Sequence, residues 1–224
     1  MAPTAVTQVL TTLKQAEQLL NLSQSVDPAF FPEWQQDLPP LTEAEKARLD
    51  RIRARYRYHR NSGHLAEGVV NLIVVSPLLE LAGFYDPPFQ LRAEQSITLD
   101  IPTVSPELTG QKLQGRLDFL VVQEQLWLVV IESKGTDLNV EDGLPQVLAY
   151  LFAGLSQQPH TPPLYGLVTN GGQFLFVKLV QSPGSPVSQY DLSALFSHLP
   201  LQNQLYDVVR VLKRLSTLLW GMKV

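Results

Sequence analysis

Cysteine is absent from the 224 residues. That excludes disulfides and thiolate metal sites. Histidine is scarce: His59, His64, His160 and His198 show no metal-ligand spacing and no histidine-nuclease pattern. No G-x-x-x-x-G-K-[ST] loop is present, so no nucleotide cofactor is expected. Uninterrupted apolar runs of membrane-spanning length are missing too. The most apolar stretch, 65–84, carries Glu67, Asn71, Pro77 and Glu80 and reads as a core helix. The first basic residue is Lys14, with no charged segment ahead of an apolar one, so no signal peptide is expected. The expectation is a cytoplasmic protein without a membrane partner. There is no internal repeat and no low-complexity tract.

Hydrophobic residues make up 45% of the chain and charged residues 17%, enough for a packed core. The expected organisation is a helical extension with a basic helix at 1–60, then a core domain at 61–224. The net charge of −4 argues against nucleic acid as a partner, but its distribution argues for it. Lys46, Arg48, Arg51, Arg53, Arg55, Arg57 and Arg60 place seven of the 17 basic residues within fifteen positions, with Asp50 as the one acid among them. Such a patch binds phosphate or is a solvated helix face, and composition leaves both readings open.

Periodicity predicts helices over 4–22, from Thr42 to about 60, and over 64–81. Thr42 and Glu45 form a capping box, and Leu49, Ile52 and Tyr56 a core stripe. Pro77 should kink the third helix and Gly83 should end it. Strands are predicted at 89–101, 111–122, 125–134, 164–169 and 173–180, with Asn170–Gly171–Gly172 as a hairpin turn. Helices are predicted at 142–156 and along the stripe Leu205 to Leu219. This order gives an α/β fold, a mixed sheet flanked by helices.

The segment 126–137, LWLVVIESKGTD, is the most informative. Six apolar residues read as a strand buried on both faces, yet they run into Glu132, Ser133 and Lys134. Asp118 lies in the preceding strand, GRLDFLVV. In a hairpin turning near 123–125, Asp118 falls opposite about Val130, with Glu132 and Lys134 further along the same face. This needs an odd loop or a bulge, because a slip of one residue turns Asp118 to the other face. Neighbouring carboxylates repel unless a cation sits between them, and oxygen ligands select Mg²⁺ or Mn²⁺. The alternative is a solvated strand end with a Glu–Lys ion pair.

GRLDFLVV and LWLVVIESKG together resemble the PD-(D/E)XK nuclease superfamily, with Leu117 in place of the proline. LPQVLAYLFAG (144–154) looks like the Q-x-x-x-Y helix of some members. YGLVTNGGQFLFVKL (165–179) is similar to the hairpin in the N-terminal nuclease domain of type I restriction R subunits, and EGVVNLIVVSPLLELAGF (67–84) to the helix carrying that group's additional acid. The resemblance implies a restriction-endonuclease-like core and a Mg²⁺- or Mn²⁺-dependent DNA endonuclease. In that reading Asp118, Glu132, the Ser133 backbone carbonyl and Glu67 hold the metal. Lys134 positions or activates the attacking water, and Gln146 belongs to the catalytic set. Arg51 and Arg55 of the basic helix are the expected DNA contacts, and Tyr150 contacts DNA, orients Lys134 or packs at the core rim. His64 and Asn71 share a helix face with Glu67 and could line the cleft. Cutting both strands of a duplex is easiest with two sites, which makes a homodimer the expected assembly. The rival reading is a nuclease fold without activity that binds DNA or protein.

Overall fold

The computed structural model describes all residues except 1–3, 101–111, 124–125, 134, 157–161, 183, 200–201 and 222–224; the side chains of 100 and 126–133 also lie outside it. In chain order the elements are β1 Thr4–Ala5, α1 Val6–Val9, α2 Leu13–Leu20, β2 Leu22–Gln24 and a 3₁₀ turn at Pro32–Trp34. Next come α3 Glu43–Asn61, α4 Glu67–Val70, a π-helical segment Asn71–Val75, α5 Ser76–Leu81, β3 Phe89–Asp100, β4 Lys112–Gln123 and β5 Leu126–Ser133. A 3₁₀ turn at Val140–Gly143 leads into α6 Leu144–Ser156, followed by β6 Leu164–Thr169, β7 Gln173–Gln181, β8 Ser188–Leu192, β9 Phe196–Ser197 and α7 Leu205–Trp220. The strands form one mixed sheet, in which β5 and β6 run parallel and β3–β4, β4–β5, β6–β7 and β7–β8 antiparallel.

Helices cover both faces. On one, Ala16 and Leu20 of α2 and the body of α6 pack with Leu117, Leu120, Val168 and Val177 of the sheet. From Leu144 to Leu155, α6 is buried at nearly every position, because α2 covers the side that the sheet does not. A helix apolar all round needs such a sandwich. On the other face, Leu49, Ile52 and Tyr56 of α3, Val74 and Leu78 of the helix around Pro77, and Leu212 and Leu215 of α7 pack with Val121, Tyr165 and Phe176.

Residues 4–22 do not form the single helix that their apolar spacing predicts. Leu10 leaves the helical region, Thr12 starts α2 with its own capping box to Gln15, and Asn21 ends it in the left-handed conformation (φ 53°). The flanking residues join the sheet: β1 pairs in parallel with β4, and β2 with β8. The chain then runs along the α7 side to α3. Lys178, 8% exposed, donates to the Phe30 carbonyl at 2.8 Å and pairs with Glu33 at 2.6 Å. Arg210 donates to the carbonyls of Leu38 and Pro39.

The third helix begins at Glu67 rather than His64 and is interrupted where Pro77 demands it. Proline has no N–H for the Ile73 carbonyl, and the turn before it widens so that the Ser76 N–H reaches Asn71, five residues back. Gly83, at φ 85°, ends the helix, and the Phe84 N–H caps the Leu79 carbonyl.

Candidate active site

The sheet forks beside β4. Its C-terminal half, from Phe119 to Gln123, pairs with β5, while Leu113 and Gln114 pair with β1. Between these partners the ladder is open, and the backbone of Arg116 finds another one. The Tyr150 hydroxyl accepts from the Arg116 N–H and donates to the Arg116 carbonyl, each at 3.2 Å. Gln146, one turn earlier on α6, donates its Nε2 to the same hydroxyl at 2.8 Å. Tyr150 is 1% exposed and Gln146 9%. A cleft of about 410 Å³ opens over the fork, lined by Ala5, Val6, Thr7, Ser96, Arg116 and Gln146 among others.

Register decides where the acids fall. Gln123 pairs with Leu126 and Val122 with Trp127, but Val121 pairs with Val129. Leu128 is therefore the extra residue of a β-bulge. Beyond it Leu120 faces Val130 and Phe119 faces Ile131. Among the described residues the pairing ends there, one step short of positions 118 and 132. Without the bulge Phe119 would face Val130, and each pair beyond the bulge would shift by one residue. The sequence had put Asp118 opposite about Val130. The observed pairs, Phe119 with Ile131 among them, are offset by two residues from that expectation.

Asp118 also marks a change of face within β4. Leu113 and Leu117 point into the same core layer as Leu120 and Val122, while Phe119 and Val121 point into the other. The β3 ladder matches this. It pairs Ala93 with Phe119 and Gln95 with Leu117 but has no pair between, and Glu94 there has φ 53°. A non-glycine residue with positive φ costs energy, so the irregularity is held in place by its surroundings. Asp118 itself is half-buried.

The other candidates arrive from three directions. Leu65 and Thr136 bond reciprocally: the Leu65 N–H to Thr136 Oγ1 at 3.0 Å, and the Thr136 N–H to the Leu65 carbonyl at 3.2 Å. Thr136 is two residues beyond Lys134 and Leu65 two before Glu67, so the start of α4 lies beside the chain leaving β5. Glu67 and His64 are exposed; Asn71 is half-buried, with its Oδ1 unpartnered among the described residues. Asn170 donates to the Leu138 carbonyl at 3.0 Å, and its Oδ1 accepts from Gly172 and Gln173 to shape the β6–β7 turn. Ser133 pairs with Thr169 at the end of β6, and Gly171 and Gly172 pack under the Tyr56 ring of α3. The basic helix thus meets the same end of the sheet as Glu132. Lys134, and the side chains of Glu132 and Ser133, lie outside the described residues.

Sequence reasoning placed Asn170 in a hairpin turn but missed its bond to Leu138, and it missed Leu65, Thr136 and Arg116, the last lining the cleft and paired with Glu94. These contacts join residues distant in the sequence, which no local motif marks. On α3 the structure sorts the basic residues. Lys46 pairs with Glu43 and Arg48 with Glu80, and Arg53 and Arg57 donate to the carbonyls of His198 and Leu199. Arg51 and Arg55 remain exposed.

No family model matches the chain, and no curated protein does. Among solved structures, a fragment described as an HsdR subunit of a type I restriction enzyme from Vibrio vulnificus YJ016 superposes with a TM-score of 0.37 at 19% identity. The match covers 60% of this chain and 24% of that one, so this chain spans a minor part of that protein. No helix among the described residues is long and apolar enough to cross a membrane.

Proposed function

We propose that the chain is a metal-dependent nuclease that hydrolyses phosphodiester bonds in DNA. The observation that carries this reading is the register at the fork. A bulge at Leu128 sets the β4–β5 register, whose last pair, Phe119 with Ile131, stands one step short of Asp118 and Glu132, and a cleft lined by Arg116 and Gln146 opens over the fork. An acid at each of these positions, followed by Lys134, is a set of oxygen donors with an adjacent ammonium. Oxygen donors of this kind suit Mg²⁺ or Mn²⁺. Asp118 and Glu132 would hold the ion, with the Ser133 carbonyl and Glu67 as further donors. Such an ion polarises the phosphate and lowers the pKa of a bound water. Lys134 would orient that water or the scissile phosphate. Gln146 and Tyr150 hold the open stretch of β4 in place, which makes Tyr150 a positioning residue in this reading, since its hydroxyl is occupied within the fold. Arg51 and Arg55 would take phosphates.

The test is cleavage of supercoiled plasmid and of linear oligonucleotides with Mg²⁺ or Mn²⁺, against EDTA. Nicked or linear product is expected only with metal. Asp118→Asn, Glu132→Gln and Lys134→Ala should each lower the rate by roughly 10²–10⁴-fold, with circular dichroism unchanged. If the wild type cuts no DNA under any of these conditions, or all three variants cut as it does, the reading fails.

A further inference from the structure

Tyr58 is 72% exposed, the most exposed Phe, Tyr or Trp ring among the described residues. It lies on α3 at i+7 from Arg51 and i+3 from Arg55. At 3.6 residues per turn the three fall within an arc of about 60°, with Arg51 and Arg55 about 6 Å apart along the axis. Ala44 and Ala47, both exposed, share this side of the helix and leave it open. The acid in the helix body, Asp50, is turned away and accepts from Asn203 and Tyr206. His59 meets the Tyr58 ring edge-on, with centroids 5.2 Å apart and planes at 80°, which supports one side of the ring. Other large exposed aromatics are used in the fold: Tyr85 bonds Ser76, and Trp220 packs on Phe89.

Two exposed guanidinium groups beside an exposed ring match a particular chemistry. Phosphates pair with arginine, and an unpaired base stacks on an aromatic face. In an intact duplex the bases are already stacked on each other, and a tyrosine on an exposed helix gains little from them. We propose that the Arg51–Arg55–Tyr58 face of α3 binds a nucleic acid segment with unpaired nucleotides, Tyr58 stacking on a base while the arginines hold the backbone. This rests on the nucleic acid reading above and adds strandedness to it. The face lies on the helix whose Tyr56 packs against the Gly171–Gly172 turn, at the end of the sheet where β5 and β6 finish.

The experiment uses fluorescence anisotropy of a labelled single-stranded 20-mer and of the same sequence as a duplex, in EDTA so that no cleavage occurs. The wild type should bind the single strand more tightly. Tyr58→Ala should weaken single-strand binding by roughly 5- to 150-fold and leave duplex binding within about twofold. Tyr58→Phe should retain most of the affinity, since the ring and not the hydroxyl carries the contact. Arg51→Ala with Arg55→Ala should weaken both and lower the salt slope by about 0.7 per lost single-strand phosphate contact. Equal loss on single strand and duplex, no loss in Tyr58→Ala, or no single-strand binding by the wild type overturns the proposal. Cleavage is read separately. A protein that cuts duplex DNA with metal but ignores Tyr58→Ala keeps the nuclease reading and loses this one, while selective single-strand binding without cleavage does the reverse.

Discussion

Gly115 has no room for a methyl group. A Cβ built there would lie 2.5 Å from the Tyr150 ring and hydroxyl. Gly115→Ala should therefore push Tyr150 off the Arg116 backbone, a loss of about 1–3 kcal/mol, read from urea denaturation, and cleavage should fall with it. His198 gives a pH signature. It is fully buried, Nε2 contacts the Gly171 carbonyl at 2.7 Å, and Nδ1 has no partner among the described residues. Burial, opposed by that bond and aided by Arg53 and Arg57, pushes its pKa down to about 4. The unfolded chain takes up this proton first, near 6.5. Stability is thus complete above about pH 6.5 and declines as the pH falls toward 4, by about 3 kcal/mol in all. Unfolding titrations at several pH values should show this slope in the wild type and lose it in His198→Gln. Neither residue announces its role in the sequence. Gly115 is an ordinary strand glycine there, and His198 is legible only as a histidine without metal spacing.

At the scale of elements, local signals were readable and distant ones were not. The capping box of Thr42 and Glu45 and the stripe Leu49, Ile52 and Tyr56 define α3 from its own residues, and the structure has all of them in place. The strands from 89 to 100, 164–169 and 173–180 and the final helix are likewise set by their own periodicity. Residues 4–22 mislead because their apolar spacing serves two short helices and two strands whose partners lie over 100 residues away. β8 and β9 were missed because five and two residues carry too little periodicity. The candidate acids were visible as residue types, but the β4–β5 register includes an extra residue, Leu128, and a bulge leaves no mark in composition. Deleting Leu128 removes that residue and leaves the other pairs in a regular ladder, 122–127 beside 121–129, with β5 still in register with β6. The variant should fold and keep cleavage, because no pair beyond the bulge is shifted. Loss of cleavage with the fold intact would show that the bulge itself, and not only the register, serves the site.

For the whole molecule, a metal held by the native fold and not by the unfolded chain adds stability. At a free Mg²⁺ concentration near a hundred times its dissociation constant the gain is about 2.7 kcal/mol. For a chain of this size that raises Tm by roughly 5–10 °C. Thermal melts should show the rise in the wild type and in Lys134→Ala, which keeps the oxygen donors, but not in Asp118→Asn. An equal rise in all three would point to metal bound elsewhere. The N-terminal strands also set a timetable. Leu22 pairs with Ser188, so β2 emerges 166 residues before its partner exists. At about 5–20 residues per second, translation takes roughly 8–33 s to supply it. Through that interval the apolar face of α2 waits, first for α6 and then for the edge of β8. A segment made before most of its partners is thus among the last to reach its place, and a newborn chain depends on whatever shields that face until synthesis has passed Leu192.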